Sequence, residues 1–215
     1  MFIKKKVEVA EADAAMTFRP GQFRREPFSL ERKNIILVGL RASGKTTVGR
    51  LLAERLACPF VDTDDLVEAD LGMSIAGFVA AHGWPAFRAA EEVAVERACG
   101  LPGKVVATGG GAVLSEKNRA LWGRQAVVLY LAADIPLLVA RLGHGPDTRR
   151  PPLSGLPLEE ELVACLRERE PLYMAVMDHM LQACRSPEQL VEDALVALGL
   201  AEWDGEERER LLERW

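Results

Sequence analysis

Hydrophobic positions along this chain fall into a regular order only from Asn34 onward. Ile35 to Val38 form a short continuous apolar run, the pattern of a strand buried on both faces. Lys45 to Ala57 reads as a helix, with Val48, Leu51, Leu52 and Leu56 on one side. Phe60-Val61 predicts a second short strand ending in Asp62-Thr63-Asp64, and the helix after it runs to Leu71, where Gly72 stops it. Ser74 is placed to cap a helix over Ile75 to Ala81, and Pro85 suits the first turn of another that reaches Cys99. Lys104 to Ala107 predicts a strand leading into Thr108-Gly109-Gly110-Gly111. Ala126 to Leu131 is the clearest strand, and Asp134 caps a helix through Leu142. Residues 143–156, GHGPDTRRPPLSGL, break every period and predict a mobile loop. Helix returns over Leu158 to Tyr173, followed by a weak strand at Met180 to Ala183 and an amphipathic helix from Pro187 to Leu198.

Strands that alternate with helices predict an α/β fold with a parallel sheet covered on both faces. In such sheets ligands sit at the carboxyl ends of the strands. Three candidate motifs fall there, at 39–47, 62–64 and 108–111. Residues 1–33 show no sustained period and read as an extension, part disordered and part draped on the domain. The ending GEERERLLERW reads as a short charged helix.

Composition narrows the picture in three ways. With 215 residues, the chain is long enough for one domain with a full core. A net charge of −5, from 27 basic and 32 acidic residues, argues against a nucleic-acid partner. No apolar run reaches the ~20 residues that span a bilayer, and the first residues, despite Lys4, Lys5 and Lys6, lack the apolar core of a signal peptide. The four cysteines form no CxxC pair, so they read as reduced, mostly buried thiols rather than a zinc site.

Gly39 to Thr47, GLRASGKTT, carries the pattern GxxxxGKT between a strand and a helix. Glycine is needed where the backbone turns tightly against a ligand, so that successive N–H groups and the helix N-terminus face a phosphate chain. Gly39, Ala42, Ser43, Gly44, Lys45, Thr46 and Thr47 are therefore the candidate nucleotide-binding residues. Lys45 supplies positive charge to the outer phosphates, and Thr46 offers a hydroxyl to Mg²⁺. The motif predicts a bound nucleoside triphosphate but leaves kinase, hydrolase and switch open.

Asp62 and Asp64 lie two residues apart at a strand end, and a period of two would aim both into one crevice. One carboxylate suits the water shell of Mg²⁺; the other suits the proton of an acceptor hydroxyl. Helix capping is the competing use of the DTDD run. Arg88 and Glu91 share a helical face at i, i+3, where a guanidinium fork fits a carboxylate; alone, the pair would read as a surface ion pair. Gly109, Gly110 and Gly111 are more glycine than a turn needs, which suits a ligand lying against backbone N–H groups. Arg149 and Arg150 fall in the irregular loop. Arg169 lies within RERE, which reads by charge pattern as a solvated helix face.

GLRASGKTTVG, FVDTDDLVE, SIAGFVAAHGWPAFRAAE, ATGGGAVL, RRPPLSG and REREPLY together resemble the shikimate kinases in order and spacing, from Ile35 to Leu181. The resemblance implies a three-layer P-loop NTPase-type fold: a five-stranded parallel sheet, helices on both faces and a lid. It implies transfer of phosphate from ATP to the 3-hydroxyl of shikimate, with Mg²⁺. The reduced thiols, the net charge and the lack of an apolar span predict a cytoplasmic protein with no membrane or nucleic-acid partner, and a monomer is the expectation. It makes 34–200 the kinase domain, between the extension and a charged tail at 201–215. By its motifs, Asp64 contacts the reacting hydroxyl and Asp62, with Thr46, serves the metal. Arg88, Arg169, Gly110 and Gly111 bind shikimate, with Glu91 and Gly109 beside them. Arg150 reaches the ATP phosphates from the lid, and Arg141 lies on the adenine. Ala42 stands where the family usually has glycine, which is tolerable if its φ stays negative. Pro152 departs from the family's lid and stiffens it. The rival readings are a kinase for another small hydroxy acid or a nucleoside monophosphate, and a nucleotide-binding regulator that no longer catalyses.

Overall fold

The computed structural model describes residues 28–143 and 156–201. The expectations placed on the extension before residue 28, on Arg149, Arg150 and Pro152, and on the tail from residue 202 lie outside the described residues.

Five parallel strands form one sheet in the order β2-β3-β1-β4-β5. They are β1 (Asn34–Val38), β2 (Phe60–Asp62), β3 (Val105–Ala107), β4 (Ala126–Ala132) and β5 (His179–Gln182). Every residue of β1 is buried, as its unbroken apolar run requires of a central strand. The one polar member, Asn34, is satisfied: its Nδ2 donates to Cys99 O at 3.4 Å and its Oδ1 accepts from Lys104 N at 3.1 Å. Alternation along β1 builds the two halves of the core. Ile35 and Leu37 join Val48, Leu52, Leu190 and Ala194 of helices α1 (Lys45–Arg55) and α7 (Pro187–Ala197). Ile36 and Val38 face the other way, toward Val95, Trp122 and Tyr173. These come from α3 (Ile75–Cys99), α4 (Glu116–Gln125) and α6 (Leu158–Val176).

Helices α2 (Thr63–Leu71) and α3 enclose a smaller cluster of Val67, Ile75, Val79, Phe87 and Ala94. Gly72 ends α2 with a φ of 66°, and Ser74 Oγ caps α3 by accepting from Gly77 N at 3.2 Å. The predicted break between 81 and 85 is real, because Gly83 is non-helical at φ 80°, ψ 169°. Helix α5 is Ile135–Gly143, and Asp134 Oδ1 accepts from Leu137 N at 2.9 Å as its expected cap. Periodicity did not predict α4 or the single 3₁₀ turn Ala112–Leu114. The α4 sequence EKNRALWGRQ buries only Asn118 and Trp122, so its apolar stripe is too thin to read.

Among the described residues no helix is long and apolar enough to cross a membrane. All four cysteines are free thiols; Cys99 and Cys165 are buried as expected, whereas Cys184 is exposed. Burial pushes the Cys99 thiol up to about 11, the state of an inert core group.

Candidate active site

Strand order β2-β3-β1 puts the three motif-bearing strand ends side by side. Register aligns Leu37, Ala107 and Asp62 in one row, so the segments that follow them open into a shared crevice. This is where a parallel sheet places its ligands.

The first wall is the loop between β1 and α1. Gly39 and Gly44 take φ of 144° and 103°, which an L side chain rarely adopts. Lys45, the first residue of α1, donates through Nζ to Leu40 O at 2.7 Å and lies 3.4 Å from Ser43 Oγ. Ala42 corrects the expectation made for it, because its φ is +61°, in the left-handed region. That conformation costs a Cβ-bearing residue about 1–2 kcal/mol. We expect Ala42→Gly to relieve it. Against the extra freedom of glycine in the unfolded chain, the net gain is up to about 1 kcal/mol, a rise in Tm of about 2–4 °C in a thermal melt.

A cavity of about 380 Å³ adjoins this loop, lined by Ala42 to Val48 with Arg141, Arg185, Pro187 and Leu190. Arg141 donates to Ala42 O at 3.1 Å, Ser43 O at 3.0 Å and Ala183 O at 2.8 Å. Its guanidinium is thus fixed against the loop backbone, on the wall of this cavity. Arg185 and Pro187 line the cavity although neither belongs to a phosphate-binding motif, so the sequence marks Pro187 only as a helix start and Arg185 not at all.

The second wall is the start of α2. Asp62 ends β2 and caps α2, its Oδ1 accepting from Asp64 N at 3.0 Å. Its other oxygen, Oδ2, accepts from Thr46 Oγ1 at 2.8 Å, joining this wall to the phosphate loop. Capping and chemistry are therefore not rivals at Asp62. Burial, and then the neighbouring Asp64 carboxylate, raise the Asp62 carboxyl above the usual aspartate range. Asp64 is not extended, as a period of two would have it; it lies in the first helical turn and is half-buried.

The third wall is the glycine turn after β3 with two arginines. Gly109 N donates to Thr63 Oγ1 at 3.1 Å. A Cβ on Gly110 would stand 3.1 Å from Arg41 N, and one on Gly111 would stand 2.3 Å from Arg88 Nη1. The run of glycine thus has a packing cause. Arg88 is held by the buried Glu91 carboxylate and lies 5.4 Å from the Trp84 ring and 5.3 Å from that of Phe87. Arg169 is buried, not on a solvated face, at 6% exposure. Its Nη1 donates to Gly110 O at 3.3 Å, and its Nε, 3.5 Å from Glu168 Oε2, makes no hydrogen bond among the described residues. A buried guanidinium with an unsatisfied N–H, beside a second arginine, suits an anion that brings its own oxygens. Gly111→Ala should displace Arg88, since the φ of −101° at Gly111 leaves no backbone strain to absorb the change. We expect the acceptor KM to rise about tenfold or more, with ATP affinity unchanged, in steady-state kinetics.

Tyr173 and Glu161 are the other polar groups that sequence reasoning passed over. Tyr173 donates its hydroxyl to Gly110 O at 2.6 Å, and burial pushes its pKa far up, so it remains a donor. Glu161 accepts from Arg41 Nη2 at 2.7 Å. The spacing of Glu161, Cys165, Arg169 and Tyr173, four residues apart on α6, was legible as one face; their burial was not.

Comparison with known proteins identifies the family. The shikimate kinase family profile matches residues 41–198, well over half of the chain. "Shikimate kinase 2" of Yersinia enterocolitica is 44% identical over 164 residues, covering 76% of this chain and 94% of that protein. "Shikimate kinase" of Oleidesulfovibrio alaskensis is 46% identical over 154 residues, covering 71% and 90%. The shikimate kinase of Acinetobacter baumannii, solved in complex with shikimate, superposes with a TM-score of 0.74 at 31% identity, over 81% of this chain and 97% of that one. With its crevice, its phosphate loop and its paired arginines, this chain belongs to the shikimate kinase family.

Proposed function

We propose that this chain transfers the terminal phosphoryl group of ATP to the 3-hydroxyl of shikimate, giving shikimate 3-phosphate and ADP. The observation that carries the reading is the buried Arg169 guanidinium, set with Arg88 against consecutive glycines across the sheet end from Lys45. A small acid with one carboxylate and a reactive hydroxyl answers that arrangement.

In this reading Arg88 and Arg169 bind the carboxylate of shikimate, and Glu91 keeps the Arg88 fork in place. Asp64 accepts the proton of the 3-hydroxyl or orients it as it attacks. Gly110 and Gly111, with Gly109, shape the floor on which the ring rests. Lys45 exchanges its bond to Leu40 O for the phosphate chain, drawing off negative charge as the phosphoryl group moves. Arg141 flanks the adenine, and Arg150 adds charge at the phosphates. Fixing two reactants in line supplies much of the catalysis in phosphoryl transfer, where little covalent work falls to the protein.

Mg²⁺ fits the donor set. Thr46 and Asp62 present hard oxygens 2.8 Å apart, and a neighbouring cation would favour the carboxylate that burial disfavours. Among the described residues no group of three or more acidic, cysteine or histidine side chains could hold a metal. Thr46 and Asp62, directly or through water, would hold Mg²⁺ with the phosphates, as this ion commonly requires. When bound, it neutralises phosphate charge in the transition state. The catalytic unit spans 34–200, and the protein acts as a cytoplasmic monomer.

The test is ADP release by the full chain with ATP and Mg²⁺, measured with shikimate, with gluconate, with a nucleoside monophosphate and with no acceptor. Release that depends on shikimate alone supports the reading. Equal release without an acceptor, or with another one, overturns it.

A further inference from the structure

The ion pair between Arg41 and Glu161 joins residues 120 positions apart, with side-chain exposures of 21% and 4%. Arg41 belongs to the phosphate loop; Glu161 sits in the first turn of α6. Neither is needed to hold a ligand in the mechanism above. The contacts around them form a closed ring. From Glu161 the buried face of α6 runs through Cys165 to Arg169 and Tyr173. Both of the latter donate to Gly110 O, at 3.3 and 2.6 Å. Gly110 in turn lies against the phosphate loop, so closely that a Cβ there would meet Arg41 N at 3.1 Å and Gly39 O at 3.3 Å. The ring thus returns to its starting residue, and it spans the nucleotide wall and the acceptor wall.

One bond connects the ring to the nucleotide. Lys45 Nζ donates to Leu40 O, the carbonyl of the peptide bond that precedes Arg41. A phosphate that draws Lys45 toward itself releases that carbonyl and lets the Leu40-Arg41 peptide adjust. Through the ion pair such an adjustment would reach Glu161, and along α6 it would reach Arg169. A part-buried ion pair adds little to stability, and in some proteins such pairs serve to fix geometry instead.

We propose that Arg41 and Glu161 are a positioning pair that couples the two substrate sites, so that a nucleotide on the phosphate loop strengthens the hold of Arg169 on the acceptor anion. The inference rests on the ATP and shikimate reading above.

The test uses the full chain and titration calorimetry of shikimate, with and without saturating Mg²⁺ and ADP. In the parent protein ADP lowers the shikimate Kd by about fivefold or more. Glu161→Gln keeps the shape and removes the charge, and Arg41→Gln removes its partner. Each is expected to bring that ratio down about threefold or more, and the double variant is expected to do no worse than either single, since the pair acts as a unit. Arg41→Lys keeps the charge, and with it the fold. A single ammonium does not reproduce the reach of a guanidinium, so its ratio is expected to fall between parent and Glu161→Gln. A parent ratio of one, or a parent-like ratio in the variants that fold with only Tm lowered, overturns the proposal. Effects that simply add in the double variant overturn it too. A parent that binds no shikimate in either condition instead contradicts the functional reading, so the two failures are distinguishable.

Discussion

Asp64→Ala is expected to abolish useful turnover while ATP still binds, with kcat falling by about 10²–10⁴-fold. The backbone N–H of Asp64, which donates to Asp62 Oδ1 at 3.0 Å, survives in alanine. The side chain lies in the first turn of α2, beside the Asp62 carboxyl whose pKa it raises. Removing it leaves the cap of α2 and the Thr46–Asp62 bond in place, so nucleotide affinity should change little. Asp62→Ala is the contrasting case. It loses the cap, worth about 0.5–2 kcal/mol, together with the partner of Thr46. Stopped-flow turnover and equilibrium ATP binding on both variants separate the roles. Parent-like turnover by Asp64→Ala would remove this carboxylate from the chemistry.

Arg169→Ala is expected to raise the shikimate KM by about tenfold or more, since a lost charged contact is worth about 1.5–3 kcal/mol. Here too the fold has a reserve. Gly110 O keeps the Tyr173 hydroxyl at 2.6 Å after the guanidinium is gone, so the glycine turn retains its anchor. The nucleotide cavity near Arg141 is lined by other residues, and the KM for ATP should move less. Arg169→Lys should recover only part of the loss, because an ammonium lacks the planar fork that meets a carboxylate at two points. An unchanged shikimate KM in Arg169→Ala would leave the buried guanidinium without an assigned partner.

Much of this site was legible because parallel strands put functional segments at predictable ends. The continuous apolar run of β1 and the GxxxxGKT pattern located the phosphate loop, and the strand row of Leu37, Ala107 and Asp62 brought the other two motifs beside it. Other features depend on long-range contacts that a local pattern does not encode. Arg169 reads as a surface charge within RERE, and only the packing of α6 against Gly110 buries it. Arg41 occupies a position in the loop motif that the motif leaves open, and its partner is far along the chain. The condition set for Ala42, a negative φ, is not met, because a loop shaped by its neighbours overrides the local preference of one residue. The expectation of an extended Asp64 follows from reading the strand as ending in Asp62-Thr63-Asp64; the Asp62 cap instead begins the helix at Thr63.

The most direct measurement is phosphorus and proton NMR of the reaction mixture after the full chain has acted on ATP, Mg²⁺ and shikimate. The expected product carries phosphorus coupled to the proton on carbon 3 of shikimate, in equal amount to the ADP formed. Inorganic phosphate in place of the ester, or phosphorus on a different hydroxyl, would contradict the arrangement in which Asp64 and the two arginines present that one oxygen to the phosphate bound by Lys45.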